Sequence, residues 1–145
     1  MQKLERLKKE IILDQDGKTK AYFHGKNSEK YQGKLVFRVA KPNIDHEVII
    51  KAVLENNSEL DLEAVLKVEK GAKNSNTYLK LGCLLLSDDA KARVIPSLEI
   101  TEDAVKSGHG ATVSSINKEH LDYLMSRGIS RLDAEKLIVS GFLDF

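Results

Sequence analysis

The chain has one cysteine, two prolines, no tryptophan and few aromatic side chains, only 6% of its 145 residues. The lone cysteine, Cys83, excludes an internal disulfide and an all-cysteine metal site within one chain. So few aromatic rings leave few stacking platforms for sugars, which weighs against a carbohydrate-binding β-solenoid. No run approaches the ~18 consecutive apolar residues of a membrane span. Lys3, Glu5, Arg6, Lys8, Lys9 and Glu10 interrupt the apolar stretch that a secretory signal needs, so the cytoplasm is the expected compartment. The net charge of +1 gives no reason to expect nucleic acid as a partner. No P-loop, GxSxG, HExxH or CxxC motif is present, and catalysis by this chain alone is not expected.

What is present begins with length. A chain of 145 residues reads as one domain, long enough to bury roughly 68–70% of its unfolded surface without a metal or disulfide staple. Charge is uneven along it. Residues 1–34 hold nine Lys/Arg against five Asp/Glu, and the remainder fourteen against seventeen. The basic first part would either steer an acidic partner or simply form a solvated face.

Turn-forming clusters recur at Asp16-Gly17, Asn27-Ser28, Pro42-Asn43, Asn56-Asn57-Ser58, Lys73-Asn74-Ser75, Ser87-Asp88-Asp89 and Thr101-Glu102-Asp103. The segments between them alternate apolar and polar residues, the period of half-buried strands. Leu60, Leu62, Ala64, Leu66 and Val68 form one row, and Leu79, Leu81, Cys83 and Leu85 a second. Val105, Ser107, His109, Ala111 and Val113 form a third. Short strands at regular spacing fit a β-solenoid or an antiparallel β-sandwich, and periodicity leaves both open. At the N-terminus Leu4, Leu7, Ile11 and Ile12 fit a helix, while Glu10 to Leu13 equally suits a strand leading into a turn, the reading slightly preferred.

After residue 116 the period changes to that of a helix. Asn117 is a candidate N-cap, followed by Leu121, Leu124 and Met125 at helical spacing. Gly128 suits the left-handed residue that closes such a helix. Ser130 with Asp133 resembles a capping box, followed by Ala134, Leu137, Ile138 and Val139 and then Gly141 as a stop. The spacing predicts helices near 118–127 and 131–140. Such short helices are marginal alone and must pack on something. They would cap the open end of the β-layer, receive a partner, or do both.

Two residues carry candidate chemistry. His109 stands between Gly108 and Gly110, whose missing side chains would let a backbone or ligand approach. The plainer reading is a histidine that fills a core or turn position. Cys83 is a natural iron–sulfur ligand in its thiolate form, but in an apolar strand it equally reads as a small hydrophobe. Glu102-Asp103 and Asp88-Asp89 are carboxylate pairs of the kind turns commonly contain.

Four pieces, in order, carry a resemblance. They are Leu84-Leu85-Leu86-Ser87-Asp88-Asp89-Ala90, Pro96-Ser97-Leu98-Glu99-Ile100, Ser107-Gly108-His109-Gly110-Ala111-Thr112-Val113 and Tyr123-Leu124-Met125-Ser126-Arg127-Gly128-Ile129. Together they resemble the C-terminal part of the SufB/SufD family, scaffold proteins of an iron–sulfur cluster assembly system. The resemblance implies a mainly β fold, a right-handed parallel β-helix over about 10–116, with two short α-helices in 117–145. It implies that His109 contributes to a cluster site at a subunit junction. Cys83 lies two residues from the position of the SufB-type scaffold cysteine, which would fall near Leu81. It further implies that Tyr123, Leu124, Arg127, Ile129, Leu137 and Ile138 dock a SufC-type ATPase. The function expected is a non-catalytic scaffold with an iron–sulfur cluster shared at a homodimer or heterodimer interface. The alternative is a metal-free β-solenoid interaction module.

Overall fold

The recurring turns are the corners of a coil. The computed structural model describes residues 1–145 and contains nine strands, a short 3-10 helix at Leu4–Arg6 and two α-helices. Strands β1 (Gln2–Lys3), β3 (Gly17–Gly25), β5 (Asp45–Leu54), β7 (Asn76–Leu85) and β9 (Lys106–Ser115) stack in that order as sheet A. Strands β2 (Glu10–Ile12), β4 (Lys30–Val39), β6 (Glu59–Val68) and β8 (Lys91–Ile100) stack as sheet B. Every pairing is parallel. The chain is a parallel β-solenoid of about 4 turns. Asn27 reaches the Asn56 side chain 29 positions on, and Ile44 reaches Ser75 31 positions on, so one coil takes roughly 30 residues. Each coil holds two strands and two corners, which is why turn signals recur at half that spacing. The sandwich alternative would require antiparallel pairs, and there are none.

The corners explain the asparagines. Asn27 and Asn56 have φ of 54° and 53°, and Asn43 and Asn74 both have φ of 61°. Asparagine tolerates this left-handed region better than other non-glycine residues. The pairs stack one coil apart: the Asn57 amide donates to the Asn27 carbonyl at 2.9 Å, and the Asn43 amide to the Lys73 carbonyl at 2.8 Å. The buried Ser58 hydroxyl donates to the Glu55 carbonyl at 2.6 Å, which also accepts the Ser58 amide at 3.0 Å, so this corner carbonyl takes two bonds.

The three alternating rows all point inward. The first and most of the second are buried with Ala21, Phe23, Leu35, Phe37, Val39, Val48, Ile50 and Leu54, forming one continuous core. The third row lies on β9, where no further coil covers it, so His109, Ala111 and Val113 are exposed despite their inward phase. Charged residues fill the outer face of sheet B and pair across coils: Lys30–Glu59 at 3.3 Å, Lys34–Glu63 at 3.5 Å and Arg93–Asp61 at 2.9 Å. Such exposed pairs add little stability each, but a one-residue slip would break all of them.

The two helices, α1 (Lys118–Ser126) and α2 (Arg131–Leu143), lie on the outer face of sheet A rather than across the open end of the coil. The side chains of Val53 and Leu84, on the outward phase of β5 and β7, are buried there together with Leu121 and Ala134. Asn117 Oδ1 accepts from the Glu119 and His120 amides, and Ser130 Oγ from the Asp133 amide, so both expected N-caps form. Gly128 has φ of 89° and closes α1. Helix α2 passes through Gly141 instead of stopping there. Lys51 provides the reason: its Nζ donates to the Phe142 carbonyl at 2.7 Å and the Asp144 carbonyl at 2.9 Å, and sits 4.4 Å from the Phe145 ring centroid. A cation at a helix C-terminus satisfies orphan carbonyls and the macrodipole together. Burial, then the neighbouring Lys80, push the Lys51 ammonium below its ordinary range, while Asp144 opposes that shift.

Candidate functional site

The last coil carries His109, the helical pair carries the six residues expected to dock a partner, and Cys83 lies one coil beneath, on β7. β9 is the free edge of sheet A and β8 the free edge of sheet B. His109 is exposed on β9, with its backbone paired to Leu79 of the coil beneath.

The glycines on either side of it serve another side chain. Gly108 and Gly110 face outward, and the Tyr78 ring of β7 lies across both. A Cβ on Gly108 would stand 3.0 Å from Tyr78 Cε2, and one on Gly110 2.9 Å from the Tyr78 hydroxyl. The Gly-His-Gly run is therefore explained by a tyrosine packed flat on the edge strand. His109 points the other way, toward the open interior of the coil.

Cys83 is in a different setting. It is 2% exposed, and burial pushes its thiol up to about 12. A thiol that stays protonated is a poor iron ligand. Its backbone pairs with Val113, four residues along β9 from His109, so the two lie roughly 13 Å apart along the sheet at ~3.3 Å per residue. Within one chain the structure does not bring them together. No group of three His, Cys, Asp or Glu side chains converges anywhere in the molecule.

Glu102, in the turn between β8 and β9, has a structural task. Its carboxylate accepts from the Gly71 amide at 3.0 Å, and that bond holds its pKa below the usual range, aided by the Ala104 amide and Lys73. Gly71 has φ of 108°, a conformation glycine adopts readily, and the carboxylate ties this corner of one coil to the corner of the next.

The helices present an apolar surface to solvent. Of the six residues named from sequence, Tyr123 is 62% exposed and Leu137 53%, and Arg127 is also exposed. Leu124, Ile129 and Ile138 are half-buried between the helices and the sheet. Sequence reasoning omitted Leu132, 62% exposed, and the exposed face of Met125. Leu132 falls outside the apolar stripe of α2, and that position was its only available signal. No helix is long and apolar enough to cross a membrane.

The fold defines a class: a parallel β-solenoid whose last coil is uncovered and whose outer face carries a helical pair. Comparison with known proteins makes it specific. Residues 3–142 match the SufBD core domain of SUF-system FeS cluster assembly, and the chain belongs to that family. It is similar to iron–sulfur cluster assembly SufBD family proteins of Mycobacterium bovis, 31% identical over 84% of this chain, and of Mycobacterium leprae, 30% identical over 84%. A Staphylococcus aureus protein of the same description is 30% identical over 84%. The matched stretch spans only 14% of each mycobacterial protein and 26% of the staphylococcal one.

Proposed function

We propose that this chain acts as a non-catalytic part of a cytoplasmic iron–sulfur cluster assembly scaffold. It docks a SufC-type ATPase through α1 and α2 and meets another SufB/SufD-family subunit, identical or longer, at its open coil. The carrying observation is the SufBD core-domain match, which runs through the coil and the helices without a break. The exposed Tyr123, Leu132 and Leu137 support docking, because aromatic and apolar anchors left in water on a packed helix are what a partner covers. The cluster is cargo. His109, exposed on the terminal coil, is the group this chain would contribute to holding it, with the remaining ligands supplied across the junction.

The test has two arms. An immobilised SufC-type ATPase should capture the chain, with Tyr123→Ala and Leu137→Glu each weakening capture at least tenfold; unchanged capture removes the docking assignment. Anaerobic reconstitution with iron and sulfide should give cluster absorbance that falls in His109→Ala. A second reading, a metal-free interaction module, is favoured by the burial of Cys83. It predicts ATPase capture with no cluster absorbance in any variant.

A further inference from the structure

The basic surplus of residues 1–34 has no part in the scaffold reading. Lys18, Lys30 and Lys34 pair with Glu47, Glu59 and Glu63 one coil on. Lys20 has no such partner. It stands on the outer face of sheet A, in register with Ile49, and Ile49 is in register with Lys80. Lys20 and Lys80 therefore flank Ile49 in one row across three strands, their Cα atoms about 10 Å apart. Lys51 follows Ile49 by two residues on β5 and faces the same way. None of the three lysines has an ion-pair partner within the chain. They sense one another: burial and then Lys80 push the Lys51 ammonium below its ordinary range, Lys20 adds to the effect, and Asp144 opposes it. The helices cover the other half of this face, over Val53 and Leu84, and leave Lys80 and Tyr78 exposed.

The last residues of the chain show what this patch accepts. Lys20 Nζ donates to the Phe145 main-chain oxygen at 3.2 Å. The Phe145 ring centroid lies 5.9 Å from Lys20 Nζ and 4.4 Å from Lys51 Nζ. A peptide segment thus already satisfies two of the lysines with main-chain oxygens, an aromatic ring and the nearby charge of Asp144. Three ammoniums still face one side-chain carboxylate, and Lys80 receives nothing from the tail. Two residues from Lys80 on the same face of β7 is the Tyr78 ring, 43% exposed.

We propose that Lys80, Lys20 and Lys51 bind an acidic segment of a partner protein, laid beside the tail with its carboxylates on the lysines and a neighbouring side chain against Tyr78. The site lies on the sheet rather than on the apolar face of the helices, and it goes beyond the docking reading without depending on it. Charge complementarity selects an acidic partner. The size of the patch selects a short peptide over a nucleic acid. A phosphate backbone needs a basic track that runs on, whereas the adjoining row carries Glu47 beside Tyr78.

Fluorescence anisotropy of fluorescein-labelled hexaglutamate against the full chain, at low ionic strength, tests the proposal. The wild type should bind saturably. Lys80→Glu should raise Kd at least tenfold with an unchanged urea midpoint, because the Lys80 ammonium has no ion pair within the chain to lose. Lys91→Glu makes the same charge change on the outer face of sheet B and should leave Kd within threefold. Asp144→Asn should tighten binding at least twofold, since it removes the resident carboxylate. A wild type that does not bind the probe, equal losses in Lys80→Glu and Lys91→Glu, or Asp144→Asn no tighter than wild type would overturn the proposal. An oligothymidylate of matching charge that binds tenfold tighter than hexaglutamate would assign the patch to nucleic acid and overturn the choice of peptide. ATPase capture by the helix variants reads the docking assignment separately, so either result can fail alone.

Discussion

Cys83 offers the sharpest quantitative check on the core beneath the terminal coil. With its thiol pushed to about 12, the ionised fraction at pH 8 is about 10⁻⁴. A free cysteine of ordinary pKa, ~8.5, is about a quarter ionised at the same pH. Alkylation requires the thiolate, so native Cys83 should react with iodoacetamide about 10³-fold more slowly than in urea, before any shielding by Val113 and Leu81 is counted. Time-resolved mass spectrometry at pH 8, native and unfolded, measures the ratio directly. The same shift has a stability consequence. A thiol whose folded-state pKa lies above its unfolded value favours the fold fully below about pH 8.5, and that contribution is lost as pH climbs toward 12. Its ceiling is about 5 kcal/mol for the rise from ~8.5 to about 12. Cys83→Val should flatten the alkaline limb of a urea-midpoint profile. Native alkylation within tenfold of the unfolded rate would show the coil opening freely at Cys83 and refute the burial on which this reasoning depends.

Further outcomes follow from other contacts. Leu66→Ala, in the fully buried core row, should cost about 2–5 kcal/mol by chemical denaturation. Gly108→Ala sets a methyl against the Tyr78 ring and should destabilise by about 1–3 kcal/mol; Tyr78→Ala in the same chain should recover most of that, and a double-mutant cycle checks it. Glu102→Gln should lower the urea midpoint at neutral pH. The difference should be full above about pH 4.3 and vanish as pH falls through the depressed value of the folded carboxylate, where wild type too is protonated. Lys51→Ala should speed amide exchange in the last turn of α2 while leaving α1 near its wild-type rate.

Much of the coil was legible because inward rows need alternation and corners need asparagine, serine and glycine at half-coil spacing. Asn117 and Ser130 marked both helix starts because N-capping is local chemistry. The stacking itself was not local. Nothing near Asn27 announces that Asn56 lies directly above it, so solenoid and sandwich remained equivalent until the resemblance was considered. The helix end was missed because Lys51, 91 positions from Phe142, decides it. At the site, His109 was found by its glycine neighbours, but the reason for those glycines, Tyr78, is 30 positions away, one coil below. Cys83 was legible as either ligand or hydrophobe, and only its depth beneath β9 separates the two.

A coil of roughly 30 residues also dictates how such a chain tolerates gain or loss of length. Excising one whole repeat leaves every remaining side chain on its original surface, with new neighbours of the same kind above and below. Excising half a repeat transfers each downstream segment to the opposite wall and delivers the helical pair to the salt-bridged side. Viable length variants of this architecture should therefore differ by complete windings, a quantised spacing that no single corner or strand encodes.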